Sequence, residues 1–245
     1  MKRFRWQIIA GFILIGISCL VYLIHYAIFR DTHHIFVFML GNLAFLPAKV
    51  LIATIIIDQL LKAREKKAML NKLNMAIGIF FSKMGITLLK MLSLFDRSTP
   101  QKRERFIFTN DWDGGAFREA AANTANDPYD IDTQVGGLKD LEHLLNNEKN
   151  FLLTLLGNSN LLEHERFTDL LWAVTHLSEE LSSRADLGKL SEADGKHIAN
   201  DIKRAYTLLL AEWFTYMGHL RHSYPYLFSL AVRTNPFDPK AKVEF

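Results

Sequence analysis

Two hydrophobic rhythms follow one another along the chain. Near the start, apolar residues run unbroken: Ile8 to Phe29 is 22 residues without an acid, lysine or arginine. At 1.5 Å per residue such a helix is about 33 Å long, enough for a hydrocarbon layer about 30 Å thick. Ile35 to Ile57 is a second run, interrupted only by Pro47 and Lys49. The polar stretch Arg30-Asp-Thr-His-His34 links them. This pattern predicts a transmembrane helical hairpin with spans at about 8–29 and 35–57. The first apolar run is too long for a signal-peptide core and lacks a small-x-small cleavage site. Lipoprotein processing at Cys19 would want Leu three residues earlier, where Gly16 stands.

Beyond the second run the rhythm turns helical and amphipathic. From Leu73 to Phe95, Lys72, Lys83 and Lys90 fall within about 20° of one another at 100° per residue. Leu73, Ile77, Phe80, Met84, Leu88, Met91 and Phe95 cover the opposite side. Such a helix can lie in the headgroup plane, pack on the rest of the protein or pair with itself. Arg97 to Arg105 is polar and contains Pro100, and a short helix is expected at Ala116–Asn123. Further helices are expected at Leu138–Leu156, Leu161–Arg184, Ser191 to about Met217, and Gly218–Val232, the last bent at Pro225. Ser191-Glu-Ala-Asp194 resembles a capping box with Asp replacing Glu. No strand alternation of any length occurs. The expected fold is all-α: a hairpin over 1–61, a basic juxtamembrane amphipathic helix over 62–96, an irregular linker over 97–136 and an antiparallel helical bundle over 137–245. The piece 97–245 is expected to fold alone.

The 245 residues are 49% apolar and 22% charged, values that suit a soluble globular protein. The formal charge of +3 hides its distribution. Residues 1–61 sum to +3, 62–105 to +8 and 106–245 to −8. Basic residues flank both outer ends of the hairpin, which predicts both termini in the cytoplasm of a prokaryote and a multi-pass protein of the inner membrane. Lys62, Arg64, Lys66 and Lys67 form a collar suited to anionic lipid. The acidic body would repel phosphate, so nucleic acid is not an expected partner.

Within the second span, Asn42 and Lys49 lie seven residues apart on one helix face. They form either a polar seam, as in an oligomeric channel or transporter subunit, or a lysine snorkelling to the interface. His25, His33 and His34 sit at the outer end of the hairpin, where solvated histidines are the rule. Cys19 is the single cysteine, which excludes an intramolecular disulfide and any Cys-rich zinc site.

Catalytic signatures are missing: there is no phosphate loop, dinucleotide fingerprint or nucleophile elbow. Asp111-Trp-Asp-Gly-Gly115 begins like a calcium loop, but Gly is misplaced and Ala122 occupies the position of the closing Glu. The paired Glu-x-x-His motifs of a di-iron bundle are absent too. Asp140-x-x-His143, Asp194-x-x-His197 and His219-x-x-His222 are present, with Glu163, Glu165, Glu179, Glu180 and Glu212 as further carboxylates. No cofactor is expected. The candidates for a metal are His143, His164, His176 and His197, in a sensor or enzyme built on the body.

Three segments carry a resemblance: Leu70–Ser82, Leu161–Val174 and Tyr224–Phe237. Together they resemble a family of uncharacterised prokaryotic membrane proteins with two N-terminal spans and a helical cytoplasmic part. The resemblance implies that setting and fold, and no catalytic residue. Tyr224, Tyr226, Phe228 and Arg233 combine the residue types that dominate binding hot spots, and they are the candidates for docking a protein partner or a second copy. The same aromatics could instead lock the last helix onto the bundle. The reading is a membrane-anchored, non-enzymatic scaffold or interaction protein.

Overall fold

The computed structural model of the chain describes residues 2–162 and 164–242. Among these residues every regular element is a helix, and one isolated antiparallel bridge joins Asp96 to Ile131. The chain divides into two compact units, Met1–Lys66 and Lys67–Phe245.

The first unit contains α1 (Lys2–Phe29) and the start of α2 (Thr32–Phe80). Both helices are long and apolar enough to cross a bilayer. Arg30 ends α1 in the left-handed region at φ 47°, with its N–H donating to the Tyr26 carbonyl at 2.9 Å. Asp31 then caps α2 by accepting from His34 N at 3.1 Å. Pro47 lies inside α2.

The second unit begins on the amphipathic segment, and here the alternatives left open by the sequence are resolved: this segment packs into the body. Leu73, Ile77, Phe80, Met84, Leu88 and Phe95 are buried, while Lys72, Lys83 and Lys90 are exposed. A π-helical turn at Phe81–Gly85 separates α2 from α3 (Ile86–Ser93). The extra residue of a π turn shifts the facing of everything after it. Phe80 and Phe81 therefore both point inward, and Leu92 replaces Met91 as the fully buried residue. Gly85 is required there, since a Cβ would stand 2.7 Å from the Phe81 ring and 2.8 Å from the Phe80 ring.

The expected irregular linker is instead part of the core. It holds α4 (Thr99–Phe106) and α5 (Gly114–Asn123), capped by Asp113, which accepts from Ala116 N at 2.8 Å. Phe106, Phe108 and Phe117 are buried against Trp213, Phe214, Phe228 and Phe237. An apolar run as short as Phe106–Phe108 is silent about its destination when read alone. The polar loop 96–98 is tied to 127–132 by a hydrogen-bond network centred on Asp96. Its carboxylate accepts from Ser98 Oγ at 2.6 Å, and from Ser98 N and Asp130 N at 3.0 Å each. Lys102 Nζ lies 3.5 Å away and 4.2 Å from the Tyr129 ring centre. Burial would raise the Asp96 carboxyl, but the Ser98 and Asp130 hydrogen bonds and the Lys102 charge outweigh it and hold it below the usual carboxylate range.

The remaining helices are α6 (Leu138–Asn147), α7 (Lys149–Leu156), α8 (Ser159–Leu162), α9 (Glu165–Ser182), α10 (Glu192–Ser223) and α11 (Pro225–Arg233). The expected helix 138–156 is broken at Glu148, whose carboxylate pairs with Lys83 at 2.6 Å. Basic segment and acidic body thus meet directly. Ser191 caps α10, accepting from Asp194 N at 3.1 Å, and Asp194 in turn accepts from the Ser191 hydroxyl at 2.6 Å. The helix then runs past Gly218 to Ser223. Pro225 starts a new helix instead of bending the old one, because proline is at home in a first turn, where no N–H is needed. Central α10 packs on α5, α9 and α11.

Candidate functional site

The histidine candidates separate into two pairs. His164 caps α9, its Nδ1 accepting from Phe167 N at 3.1 Å, and burial followed by the Arg166 charge lowers its pKa. That nitrogen serves the backbone as an unprotonated acceptor. His143 lies on α6 beside Asn147, whose amide nitrogen is 3.2 Å from His143 Nδ1. Among the described residues, neither joins a group of candidate ligands.

His176 on α9 and His197 on α10 do come together, where these two helices pack. Their partner is Asp201, one turn beyond His197, a residue that the sequence reading passed over. Its Oδ2 lies 3.6 Å from His176 Nε2 and 3.4 Å from His197 Nε2. Glu180, one turn beyond His176, closes the group: Oε2 is 3.3 Å from His197 Nε2 and Oε1 is 3.9 Å from His176 Nε2. The Asp201 side chain is only 4% exposed, whereas both histidines reach the surface. Arg184 Nη1 holds Glu180 Oε2 at 2.8 Å, and its Nη2 is 3.5 Å from Asp194 Oδ1. The Arg184 hydrogen bond and charge, with His197, keep the Glu180 carboxyl below its ordinary value against a smaller effect of burial. Two spacings in the sequence carry this arrangement, His176-x-x-x-Glu180 and His197-x-x-x-Asp201. Residues four apart share a helix face, and that is the signal that could have found Asp201. Of the other carboxylates, Glu163 lies outside the described residues, Glu165 and Glu179 are exposed, and Glu212 is buried without joining this group.

A second feature is an apolar cavity of about 580 Å³ between the end of α2, the π turn, α10 and α11. Its walls include Gly78, Phe81, Trp213, Tyr216 and Leu230, with Tyr216 stacked on Phe81 at 5.2 Å. Tyr224 forms part of its wall, and Tyr226 is 71% exposed nearby in sequence on α11. His219 also lines it, held below the usual imidazole value by burial and then by His222. The docking candidates therefore divide. Tyr224 and Tyr226 are exposed, and Arg233 is half-buried. Phe228 is 4% exposed and stacks on Phe108 at 5.6 Å, so it locks α11 onto the body and is withdrawn from any docking face.

In the first unit, Lys49 Nζ donates to Asn42 Oδ1 at 3.0 Å, so these two polar residues of the second apolar run pair along one helix face. His25 and His34 face each other at 6.3 Å between ring centres. In the collar, Lys62 pairs with Asp58 at 2.8 Å, and Arg64, Lys66 and Lys67 are exposed.

No solved structure matches the chain. Residues 2–61 match the family described as "MJ1433, N-terminal helical domain", and residues 69–233 match "Uncharacterized protein MJ1433, C-terminal helical domain". A relative from Methanocaldococcus jannaschii, "Uncharacterized protein MJ1433", is 42% identical over 241 residues, covering 98% of this chain and 97% of its own length. With both helical parts matched in order and the similarity running nearly end to end, the chain belongs to the MJ1433 family.

Proposed function

We propose that the chain is a membrane-anchored binding protein of the prokaryotic cytoplasmic membrane. In this reading α1 and the apolar part of α2 form the hairpin, and both termini are cytoplasmic. Lys62, Arg64, Lys66 and Lys67 engage anionic headgroups at about 1 kcal/mol per charge. The helical body is a non-enzymatic docking module for a protein partner or a second copy, with Tyr224 in the wall of the apolar cavity and the exposed Tyr226 as its contact residues.

One observation carries the reading. Phe12, Leu14, Leu23, Phe36, Leu40 and Leu51 are all more than half exposed, and similar residues continue along both apolar runs. Apolar surface on that scale, far beyond the few hundred Å² a soluble monomer tolerates, is the mark of a lipid-facing surface. The contact of Lys49 with Asn42 favours an anchor over a channel, because the ammonium is already paired within its own helix. The experiment is carbonate extraction of native membranes followed by thiol labelling. With Cys19 replaced by Ser, a cysteine at His33 should react with an impermeant maleimide on whole cells, and one at Lys240 only after lysis. Release of the protein by carbonate would defeat the anchor, and the reverse labelling would defeat the orientation.

A further inference from the structure

The separations among His176, His197 and Asp201 are close to those of a coordination shell, with Glu180 beside them. A tetrahedral ion bound at about 2.0–2.2 Å by nitrogen and carboxylate oxygen keeps its donors about 3.4 Å apart. Asp201 Oδ2 stands 3.6 Å from His176 Nε2 and 3.4 Å from His197 Nε2, close to that spacing, and Glu180 approaches through both oxygens, Oε2 at 3.3 Å from His197 Nε2 and Oε1 at 3.9 Å from His176 Nε2. The donor atoms of His176, His197 and Asp201 all lie within 4.8 Å of one another. Hydrogen bonding accounts for the group poorly. An N–H···O bond wants about 2.7–3.2 Å, and both imidazoles aim the same nitrogen, Nε2, at a single oxygen from beyond that range. That oxygen, Asp201 Oδ2, is buried and has no hydrogen-bond partner. A buried carboxylate oxygen left unpaired is costly unless something fills the space before it. The nearby guanidinium of Arg204 approaches the other oxygen, Oδ1, at 3.7 Å from a largely exposed position.

The geometry points to a tetrahedral zinc site in which His176, His197 and Asp201 bind the ion and Glu180, by a small shift of its carboxylate, brings one oxygen into the fourth position. The donor chemistry suits this ion: two imidazoles and carboxylates are borderline ligands that zinc accepts in tetrahedral geometry, while calcium and magnesium want oxygen shells of six or more. Two ligands come from α9 and two from α10, each pair spaced by one turn, so the ion joins the two helices. Arg184 acts from outside the shell. By bonding Glu180 Oε2 and approaching Asp194 it fixes the orientation of the Glu180 carboxylate, as partners of ligating carboxylates do in metal centres.

The test uses the full chain in detergent, purified without a polyhistidine tag, stripped with chelator and titrated with cobalt(II) and then zinc(II). The expected result is one cobalt per chain with the intense visible absorption of a tetrahedral site, displaced by one zinc, and a thermal transition raised by zinc. His197→Ala changes a side chain that is already half exposed, so the fold survives it. Asp201→Asn keeps the shape of the buried group. Each should lower zinc affinity more than about 100-fold and abolish the cobalt spectrum, with the helical circular dichroism unchanged. His219→Ala/His222→Ala, away from the site, should bind as wild type. A wild-type chain that takes up no stoichiometric cobalt or zinc overturns the proposal, as does retained binding in Asp201→Asn.

Discussion

Glu212 sits in the middle of α10, 2% exposed, with Oε2 buried and lacking a hydrogen-bond partner. Burial pushes its carboxyl from an ordinary 4.5 up to about 7, and the Arg166 guanidinium offsets only part of that. The folded chain therefore keeps a proton on Glu212 at pH values where the unfolded chain has released it. Stability from this residue is greatest below pH 4.5, falls as pH rises through the interval up to about 7, and levels off above it. At about 1.4 kcal/mol per pH unit, that interval amounts to about 3 kcal/mol of stability lost by pH 8. Glu212→Gln keeps shape and hydrogen-bonding capacity while removing the ionisation. It should be about as stable as the wild type at pH 4.5 and about 3 kcal/mol more stable at pH 8. The assay is denaturant unfolding in mild detergent at several pH values, followed by tryptophan fluorescence, since neighbouring Trp213 is fully buried. The difference between the two proteins isolates Glu212 from every ionisable group that they share. A difference that stays constant with pH, or shrinks as pH rises, would refute the reasoning.

Asp96→Ala strips the acceptor from four donors and leaves Lys102 buried without its carboxylate; a loss of about 3–5 kcal/mol is expected in denaturant unfolding. Gly136→Ala forces a methyl into the Phe95 ring, which is 1% exposed and has nowhere to move, so about 1–3 kcal/mol should be lost by the same measurement. Phe228→Ala should cost about 3–5 kcal/mol, whereas Tyr226→Ala should leave stability within about 0.5 kcal/mol; equal effects would contradict the assignment of one to the core and the other to the surface. Lys83→Ala breaks a pair that is half exposed at the lysine, and the thermal transition should report no more than about 1 kcal/mol.

The helical class, the all-α body and the two apolar helices were legible because each rests on a long periodic pattern, and such patterns survive being read one residue at a time. The lysine stripe of residues 72–90 was legible for the same reason. Its destination was not, because amphipathicity says that a face is covered and is silent about what covers it. The π turn was hidden as well: Gly85 is one glycine among 13, and its necessity comes from two phenylalanine rings visible only in three dimensions. The residues 97–136 looked irregular because their helices are short and their core contribution is a handful of aromatics paired with partners a hundred residues away. At the candidate site, the four histidines stood as separate candidates, and nothing in the sequence says that His176 and His197 meet where α9 packs on α10. Asp201 was missed because a carboxylate on an amphipathic helix looks like solvent-facing charge until a second helix covers it.

The burial of Leu73–Phe95 has a consequence for the order of events in synthesis. Phe81 finds its stacking partner Tyr216 about 135 residues later in the chain. At about 5–20 residues per second, a ribosome needs on the order of ten seconds to deliver it. Throughout that interval the segment is an amphipathic helix with an uncovered apolar face and a row of lysines. A fragment cut at residue 97 would be in the opposite predicament permanently, its C-terminal helices made but their central partner removed. The shortest piece that can close this core therefore begins near Lys67, and the nascent chain must shelter residues 73–95 before it can bury them.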